Sequence, residues 1–442
     1  MTDALAHSST PTPQADSSTM KRAMAAGIIG HFVEWYDYGV YAYVATTLAA
    51  VFYASSDPTA GLLAVFATFA VAFFARPLGG LFFGSLADRI GRQRCLAAVV
   101  VLMSLCTAAI GVLPGYATVG VAAPILLLAA RILQGFSAGG EIAGAASFIN
   151  EYAPANKRGL LSSLLPAASA TGLLFGAVLM MILTSNLSED GMTSWGWRVP
   201  FLIALPLGAI GLYLRLKIED TPMFQALVSA KQADPTPLRS SISEQFKWIA
   251  VAFGATLTYG VGFHTVMSYM PTYLKKVTAF GAGEMFVVTA AILLTHIAAL
   301  PLCGSLSDRI GRKPVLIAAS AALVVVTYPA FVLISEGRNM FVAILAGAVM
   351  GALIAGAAAP LFAYMAEMFP TRLRTSSMSI GYNASVMIFG GTAPFISTFL
   401  IDRTGSNVAP SFYLVAAAAG AVLTLFLART NETGHRDALR QT

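Results

Sequence analysis

Apolar runs of about 20 residues recur along the chain and alternate with short polar stretches. An α-helix rises about 1.5 Å per residue, so about 20 apolar residues cross a hydrocarbon core roughly 30 Å thick. The pattern therefore predicts twelve membrane-spanning helices. They lie near residues 25–51, 62–84, 95–113, 119–148, 160–184, 197–214, 248–273, 285–306, 314–334, 340–367, 376–401 and 410–427.

The longest internal polar stretch follows the sixth span and divides the spans into two groups of six. The predicted fold class is an all-α integral membrane protein with twelve transmembrane helices in two six-helix pseudo-symmetric halves. The predicted divisions are a disordered cytoplasmic tail (1–20), an N-terminal half (21–216), a cytoplasmic linker (217–247), a C-terminal half (248–428) and a cytoplasmic tail (429–442).

Composition and charge support this class. Hydrophobic residues make up 57% of the chain and charged residues only 11%, against roughly 25% charged in soluble domains. Most Lys and Arg residues fall in the termini and the even-numbered loops, which predicts that both termini are cytoplasmic.

The basic residues come in twos and threes without forming one basic face, so we expect no nucleic-acid partner. The three cysteines have no close-spaced partner, which argues against a disulfide framework or a zinc site.

A nine-residue motif occurs once in each half. GSLADRIGR at residues 84–92 recurs as GSLSDRIGR at residues 304–312, and a weaker repeat pairs EYAPANKRG (151–159) with EMFPTRLRT (367–375). Glycine allows close helix approach, Asp caps helix N-termini or pairs with Arg, and Arg forms charge-assisted hydrogen bonds. Both copies therefore predict a gating latch on the cytoplasmic side, with simple positive-inside anchoring as the alternative. The predicted gating residues are Gly84, Asp88, Arg89, Gly91, Arg92, Gly304, Asp308, Arg309, Gly311 and Arg312.

The first predicted helix carries the polar sequence GHFVEWYDYGVYAYV at residues 30–44. Its residues His31, Glu34, Asp37 and Tyr41 fall on one helical stripe. Charged side chains inside a bilayer are costly, and they mark ion or proton pathways by default. We expect the two acids to exchange a proton or to hold a cationic group; an ion pair that locks helices together is the alternative.

The fourth predicted helix supplies a cation for these acids. Arg131, Gln134 and Glu141 share a face by the same spacing, and nearby glycines allow close packing. Arg131 is predicted to bind a substrate carboxylate or to respond to protonation of a first-helix acid. The alternative is an arginine that extends to the cytoplasmic interface.

The seventh predicted helix is rich in aromatic residues around Tyr259 and His264. Aromatic faces attract quaternary ammonium ions, so these residues predict a cage for a betaine-like head group. Ordinary helix packing is the alternative for any single ring, and a buried hydrogen-bonded residue is the alternative for His264.

Several motifs resemble a known family. GSLADRIGRQR and RILQGFSAGGE resemble the signatures of the major facilitator superfamily. VEWYDYGVYAY, ARPLGGLFFGSLADRIGRQR, RILQGFSAGGEIAGA, WGWRVPFLIALPLGAIGLYLR and EDTPMF together resemble its metabolite:proton symporter branch, and most of all the proline/betaine proton symporters. The resemblance implies a bacterial inner-membrane location, a functional first helix and proton-coupled symport by alternating access.

These observations predict a proton-coupled importer of a small organic solute. The family resemblance and the aromatic cluster favour a zwitterionic osmolyte such as proline or glycine betaine. Arg131 and the histidines favour the alternative, an organic acid such as citrate, 2-oxoglutarate or an aromatic carboxylate. A transporter-like receptor that does not translocate its ligand is a third hypothesis.

We expect no enzymatic activity, because the sequence has no P-loop, HExxH or GxSxG motif. We also expect no cofactor or metal other than the proton as coupling ion. The predicted partners are the substrate, protons and the lipid bilayer, and the monomer is expected to be the functional unit.

Overall fold

The computed structural model describes residues 17–90, 92–216, 237–336, 339–370 and 373–428, and these ranges are helical without a strand. Helices that continue one another across a short break share one label. The N-terminal half contains α1 (Ser17–Tyr43 and Ala45–Phe52), α2 (Pro58–Ile90), α3 (Arg92–Val112), α4 (Ala122–Ser137 and Glu141–Tyr152), α5 (Arg158–Ser162 and Leu164–Asn186) and α6 (Arg198–Leu216).

The C-terminal half repeats this arrangement. It contains α7 (Pro237–Phe263 and Met270–Val277), α8 (Ala282–Ile310), α9 (Arg312–Ser335), α10 (Met340–Ala358 and Leu361–Met368), α11 (Arg374–Ser385 and Ala393–Thr404) and α12 (Ala409–Leu427).

The twelve segments confirm the predicted twelve-helix architecture. Eight described helices are long and apolar enough to cross a membrane, and the bent pair Glu189–Gly196 and Arg198–Leu214 makes a ninth. Two shorter apolar helices, Ala97–Val112 and Ala122–Ser137, belong to α3 and α4. The remaining segment is α1, which carries the polar stripe.

Two segments begin well inside a predicted polar region. α1 begins at Ser17, inside the predicted tail, and α7 begins at Pro237, inside the predicted linker. No Gly or Pro interrupts the sequence between Pro237 and Gly254, so the helix extends beyond its apolar part. Residues 1–16, 217–236 and 429–442 of the predicted tails and linker lie outside the described residues.

Three of the broken segments have a 3₁₀ or π turn at the break, which the hydrophobic pattern did not predict. A 3₁₀ turn at Ala138–Gly140 interrupts α4, and π-helical turns at His264–Ser268 and Val386–Gly390 interrupt α7 and α11. The two π turns are in contact, since a Cβ atom on Gly390 would lie 3.2 Å from Nδ1 of His264. Such turns are frequent at functional sites and hinges.

Glycines on α4 bring its backbone against α2. A Cβ atom on Gly135 would lie 1.9 Å from the carbonyl oxygen of Ala72, and one on Gly139 would lie 1.9 Å from that of Arg76. No side chain fits in such a gap, so small residues are needed wherever two membrane helices approach this closely. This contact places the side chains of α2 and α4 around a common centre.

The two halves contact each other at both ends of the bundle. The end formed by the α2–α3 and α8–α9 connections, which we call the motif end, is closed by contacts between α5 and α8. Towards the opposite end, Tyr43 donates a hydrogen bond to the carbonyl oxygen of Met267 over 3.1 Å. The rings of Phe66 and Tyr269 also meet there, with centroids 5.6 Å apart. The centre between these contacts is enclosed.

Candidate functional site

The polar stripe of α1 points into the protein. The side chains of His31, Glu34 and Asp37 are each about 1% exposed, and Tyr41 is fully buried and donates a hydrogen bond to the carbonyl oxygen of Val65. The spacing correctly predicted one common face. Each acid on this face has a different arginine near it.

Glu34 forms an ion pair with Arg76 of α2. His31 Nδ1 lies 3.4 Å from the other carboxylate oxygen, and Trp35 Nε1 donates a hydrogen bond to His31 Nε2 over 3.1 Å. Sequence reasoning did not assign Arg76 a role. The position of Arg76 in the middle of the second apolar run could have indicated a role, because an arginine inside a membrane needs a partner.

Asp37 belongs to a second network that joins α1, α3 and α4. Gln134 donates a hydrogen bond to Asp37 Oδ2 and another, over 2.9 Å, to the hydroxyl of Thr107. Arg131 in turn donates to Gln134 Oε1, and its Nη1 lies 4.0 Å from Asp37 Oδ2. Asp37 Oδ1 has no hydrogen-bond partner within the described ranges. One oxygen of this carboxylate therefore remains available for a further interaction.

Arg131 lies among aromatic rings. Its guanidinium carbon is 4.1 Å from the ring centroid of Tyr41, 5.2 Å from that of Tyr38 and 5.4 Å from that of Phe69. The side chain is fully buried, so it does not extend to the membrane interface. Arg131 and Gln134 do share a face as predicted, and Gln134 is the link between the arginine and the acid.

A 3₁₀ turn at Ala138–Gly140, where three consecutive small residues permit the tighter turn, lies between Ser137 and Glu141. The place of Glu141 on the face of Arg131 and Gln134 stays a prediction. The side chain of Glu141 itself lies outside the described residues.

The C-terminal half contributes a histidine and aromatic rings to the same centre. His264 lies on the π turn of α7, and its ring centroid is 5.5 Å from that of Trp35 and 5.3 Å from that of Phe73. Phe263 packs edge-on against Trp35 at 4.8 Å. The cluster predicted on α7 is thus completed by rings from α1 and α2.

Tyr259 has its described ring contacts within the C-terminal half, although its hydroxyl interacts with Ser169 of α5 in the N-terminal half. Its described ring contacts are with Phe263 and Phe362, at 5.3 and 6.2 Å, and both belong to the C-terminal half. Tyr259 is buried at 1% exposure. These contacts are what ordinary helix packing predicts, and they leave a ligand-binding role for Tyr259 untested.

The second copy of the duplicated motif joins the two halves. Asp308 accepts hydrogen bonds from the backbone N–H groups of Gly159 and Leu160, each over 2.9 Å, and so caps the first turn of α5. Arg312 donates to Asp308 over 2.6 Å and to Glu367 over 3.3 Å. The aspartate therefore makes both interactions that the sequence predicted for it.

Two glycines of this copy have structural roles. A Cβ atom on Gly304 would lie 2.7 Å from the carbonyl oxygen of Gly159, so α8 and α5 are in backbone contact. Gly311 has φ +99°, a conformation that L-residues with a side chain rarely adopt. It allows the sharp turn from α8 into α9.

Arg309 does not take part in this latch. Its side chain is exposed, because the turn of α8 that directs Asp308 towards α5 directs the next residue outwards. In the first copy, Gly91 and the side chains of Asp88, Arg89 and Arg92 lie outside the described residues, and so do the surroundings of Gly84.

Comparison with known proteins identifies the class. A family model described as sugar (and other) transporter matches residues 23–241, and the Major Facilitator Superfamily model matches residues 252–441. A solved structure of a proton:xylose symporter of the major facilitator superfamily shares the fold with a TM-score of 0.76, 18% identity and coverage of 95% of this chain and 97% of that one. The chain therefore belongs to the major facilitator superfamily, and it is a multi-pass membrane protein of a transporter family.

Two curated relatives narrow the family. The proline/betaine transporter of Escherichia coli strain K12 is 39% identical over 419 residues, which cover 92% of this chain and 83% of the relative. The glycine betaine/proline/ectoine/pipecolic acid transporter of Dickeya dadantii is 37% identical, with coverage of 94% of this chain and 84% of the relative. Within the superfamily, the chain belongs to the family of the proline/betaine transporters.

Proposed function

We propose that the protein is a proton-coupled symporter that imports a zwitterionic osmolyte such as proline or glycine betaine. The observation that carries this proposal is the enclosed centre of α1, α2 and α4, where two carboxylates and two guanidinium groups are buried together. Two negative and two positive charges leave the centre without net charge. While Asp37 is ionised, a zwitterion adds no net charge to this desolvated centre, whereas an organic dianion adds two negative charges.

The two acid–arginine pairs have different parts in this scheme. Asp37 exchanges the coupling proton, because its Oδ1 can take up a proton without the loss of an existing hydrogen bond. Protonation removes the charge that Gln134 and Arg131 face, so the contacts between α1 and α4 change with each cycle.

Arg76 binds the substrate carboxylate. Its guanidinium group lies 5.0 Å from the ring centroids of Tyr38 and Phe73, and Phe73 in turn contacts His264 of the other half. Glu34 holds the arginine while the site is empty. A substrate carboxylate replaces Glu34 as a bidentate partner of the same fork-shaped donor.

Alternating access completes the scheme. The motif end is taken as cytoplasmic, with both termini on that side, in agreement with the distribution of Lys and Arg. The membrane is the inner membrane of a bacterium, and the monomer suffices. The chain has no enzymatic activity and needs no cofactor other than the proton. A positive charge that enters down an inside-negative potential of 100 mV releases about 2.3 kcal/mol, and this free energy drives accumulation of the substrate.

The test is uptake into proteoliposomes with an alkaline interior. Labelled proline and glycine betaine are compared with citrate and 2-oxoglutarate, with and without a protonophore. We expect accumulation of the zwitterions that the protonophore abolishes. Accumulation of an acid instead would move the proposal to the organic-acid alternative, and saturable binding without flux would indicate a receptor.

A further inference from the structure

One nitrogen of the buried His264 ring has no assigned partner. Nδ1 lies 2.7 Å from the carbonyl oxygen of Gly260, and because a carbonyl only accepts, Nδ1 carries the hydrogen. In the neutral ring, Nε2 is then a hydrogen-bond acceptor. Nε2 has no hydrogen-bond partner among the residues that the structure describes, although the side chain is only 1% exposed.

The surroundings of this ring suit a cation. Three aromatic rings of the N-terminal half lie around His264: Trp35 at 5.5 Å, Phe73 at 5.3 Å and Phe69 at 6.2 Å between centroids. Aromatic faces, that of Trp above all, attract ammonium groups. A cation beside Nε2 would therefore meet a hydrogen-bond acceptor in aromatic surroundings.

Phe73 relates this position to the proposed carboxylate site. Its ring centroid lies 5.0 Å from the guanidinium carbon of Arg76 and 5.3 Å from the centroid of His264. Arg76 donates hydrogen bonds only, and a neutral His264 offers an acceptor at Nε2. A small amino or imino acid has one group for each of them, a carboxylate for Arg76 and an N–H group for His264.

The geometry points to His264 as a specificity-determining residue whose Nε2 accepts a hydrogen bond from the substrate's ammonium N–H. This inference rests on the proposed function and names its preferred substrate class, amino or imino acids that keep at least one N–H. A fully N-methylated ammonium group has no N–H group, so the rings alone hold it and Nε2 has no hydrogen-bond donor. The transporter therefore selects proline-like solutes over betaines.

The experiment uses three solutes that share a ring and a carboxylate and differ in N–H groups: proline, N-methylproline and N,N-dimethylproline. Each competes with labelled proline for uptake into proteoliposomes of the wild type, His264→Phe and His264→Gln. A hydrogen bond from a charged donor corresponds to about tenfold or more in affinity. The wild type should accept N-methylproline nearly as well as proline and disfavour N,N-dimethylproline by about that factor.

The variants separate the hydrogen bond from packing. His264→Phe keeps an aromatic ring but lacks the acceptor, so the ratio of its affinities for proline and N,N-dimethylproline should fall towards one. His264→Gln keeps an acceptor and should retain part of the wild-type preference for proline. His296→Phe is the matched control. His296 is also buried with Nδ1 2.9 Å from a glycine carbonyl, that of Gly351, but its described contacts lie within the C-terminal half. The His296→Phe variant should prefer proline over N,N-dimethylproline as strongly as the wild type does.

Three results would overturn the inference. The first is a wild type that shows no preference across the methylated series. The second is an unchanged preference in His264→Phe. The third is an equal loss of affinity for all three solutes in His264→Phe, which would indicate that His264 acts on carboxylate binding. If the wild type accumulates zwitterions but shows one of these results, the inference fails and the proposed function stands. If the wild type accumulates none, both fail. If His264→Phe does not fold, the wild-type series and His264→Gln still test the inference.

Discussion

Asp308 offers the sharpest test of the latch at the motif end. Its carboxylate accepts hydrogen bonds from the backbone of Gly159 and Leu160 and from Arg312, with the side chain only 7% exposed. Asp308→Asn keeps one acceptor oxygen and nearly the same shape but removes the charge. Each hydrogen bond to a charged group contributes about 1.5–3 kcal/mol, so loss of one bond and weakening of another costs the closed state roughly 2–4 kcal/mol.

This loss corresponds to a shift of roughly 30- to 1,000-fold towards the state that is open at the motif end, since each 1.4 kcal/mol is about tenfold. The assay is maleimide labelling of Ser147→Cys in a background without the three native cysteines. Ser147 lies buried between the halves, with its hydroxyl 3.0 Å from that of Thr375. We expect Asp308→Asn to raise the labelling rate, because opening of the motif end exposes this position.

Two controls make the result specific. Arg309→Gln changes a charge in the same motif at an exposed position and should leave the rate unchanged. A cysteine at Thr272, which is 5% exposed on α7 near the opposite end, should label more slowly in Asp308→Asn if access alternates. Equal labelling rates of Ser147→Cys in Asp308→Asn and Arg309→Gln would refute the latch.

Three further predictions address the site and its scaffold. Asp37→Asn should abolish proton-driven accumulation but spare counterflow exchange, and a loss of ligand binding would instead make Asp37 a substrate ligand. Arg76→Lys should raise the KM for proline at least about tenfold without a matching loss of kcat, because a point charge replaces a bidentate fork; an unchanged KM would contradict the carboxylate role. Gly135→Ala should lower the Tm of the purified protein, since the added methyl forces α4 away from α2 at a cost of about 1–3 kcal/mol; Gly144→Ala, where no other group lies within 4 Å, is the matched control and should not.

The sequence predicted the spanning segments well, because hydropathy and helix length depend on one helix at a time. The stripe of α1 was predicted for the same reason, since residues at i, i+3, i+4 and i+7 share a face whatever the tertiary structure. The interaction between Asp308 and a helix N-terminus also followed from residue chemistry. Its partners Gly159 and Leu160 did not, because they belong to the other half of the chain.

The partners of the buried acids could not be predicted from spacing. Glu34 and Arg76 come from different helices, and their contact depends on the packing of α1 and α2. The sequence paired Arg131 with the α1 acids, but it did not show that Gln134 lies between Arg131 and Asp37. The helix breaks at Ala138–Gly140 and His264–Ser268 were missed as well, since an apolar run looks the same through an α, 3₁₀ or π turn.

The distribution of buried charges bears on how such a site can move. Within the described residues, Glu34, Asp37, Arg76 and Arg131 all belong to the N-terminal half, so the ion pairs Glu34–Arg76 and Asp37–Arg131 lie within that half. The C-terminal half faces them with His264 and aromatic rings. A rotation of one half against the other therefore breaks none of the buried ion pairs, whose separation in a desolvated interior would cost several kcal/mol.

The polar contacts that do cross between the halves lie mainly towards the two ends. Asp308 binds the start of α5 at the motif end, and Tyr43 binds the carbonyl oxygen of Met267 towards the other. Each contact is small enough to be lost and regained in a transport cycle, and the loss of one is compatible with retention of the other. Under the proposed function, alternating access is thus a competition between two sets of end contacts around a charged centre that stays within one half.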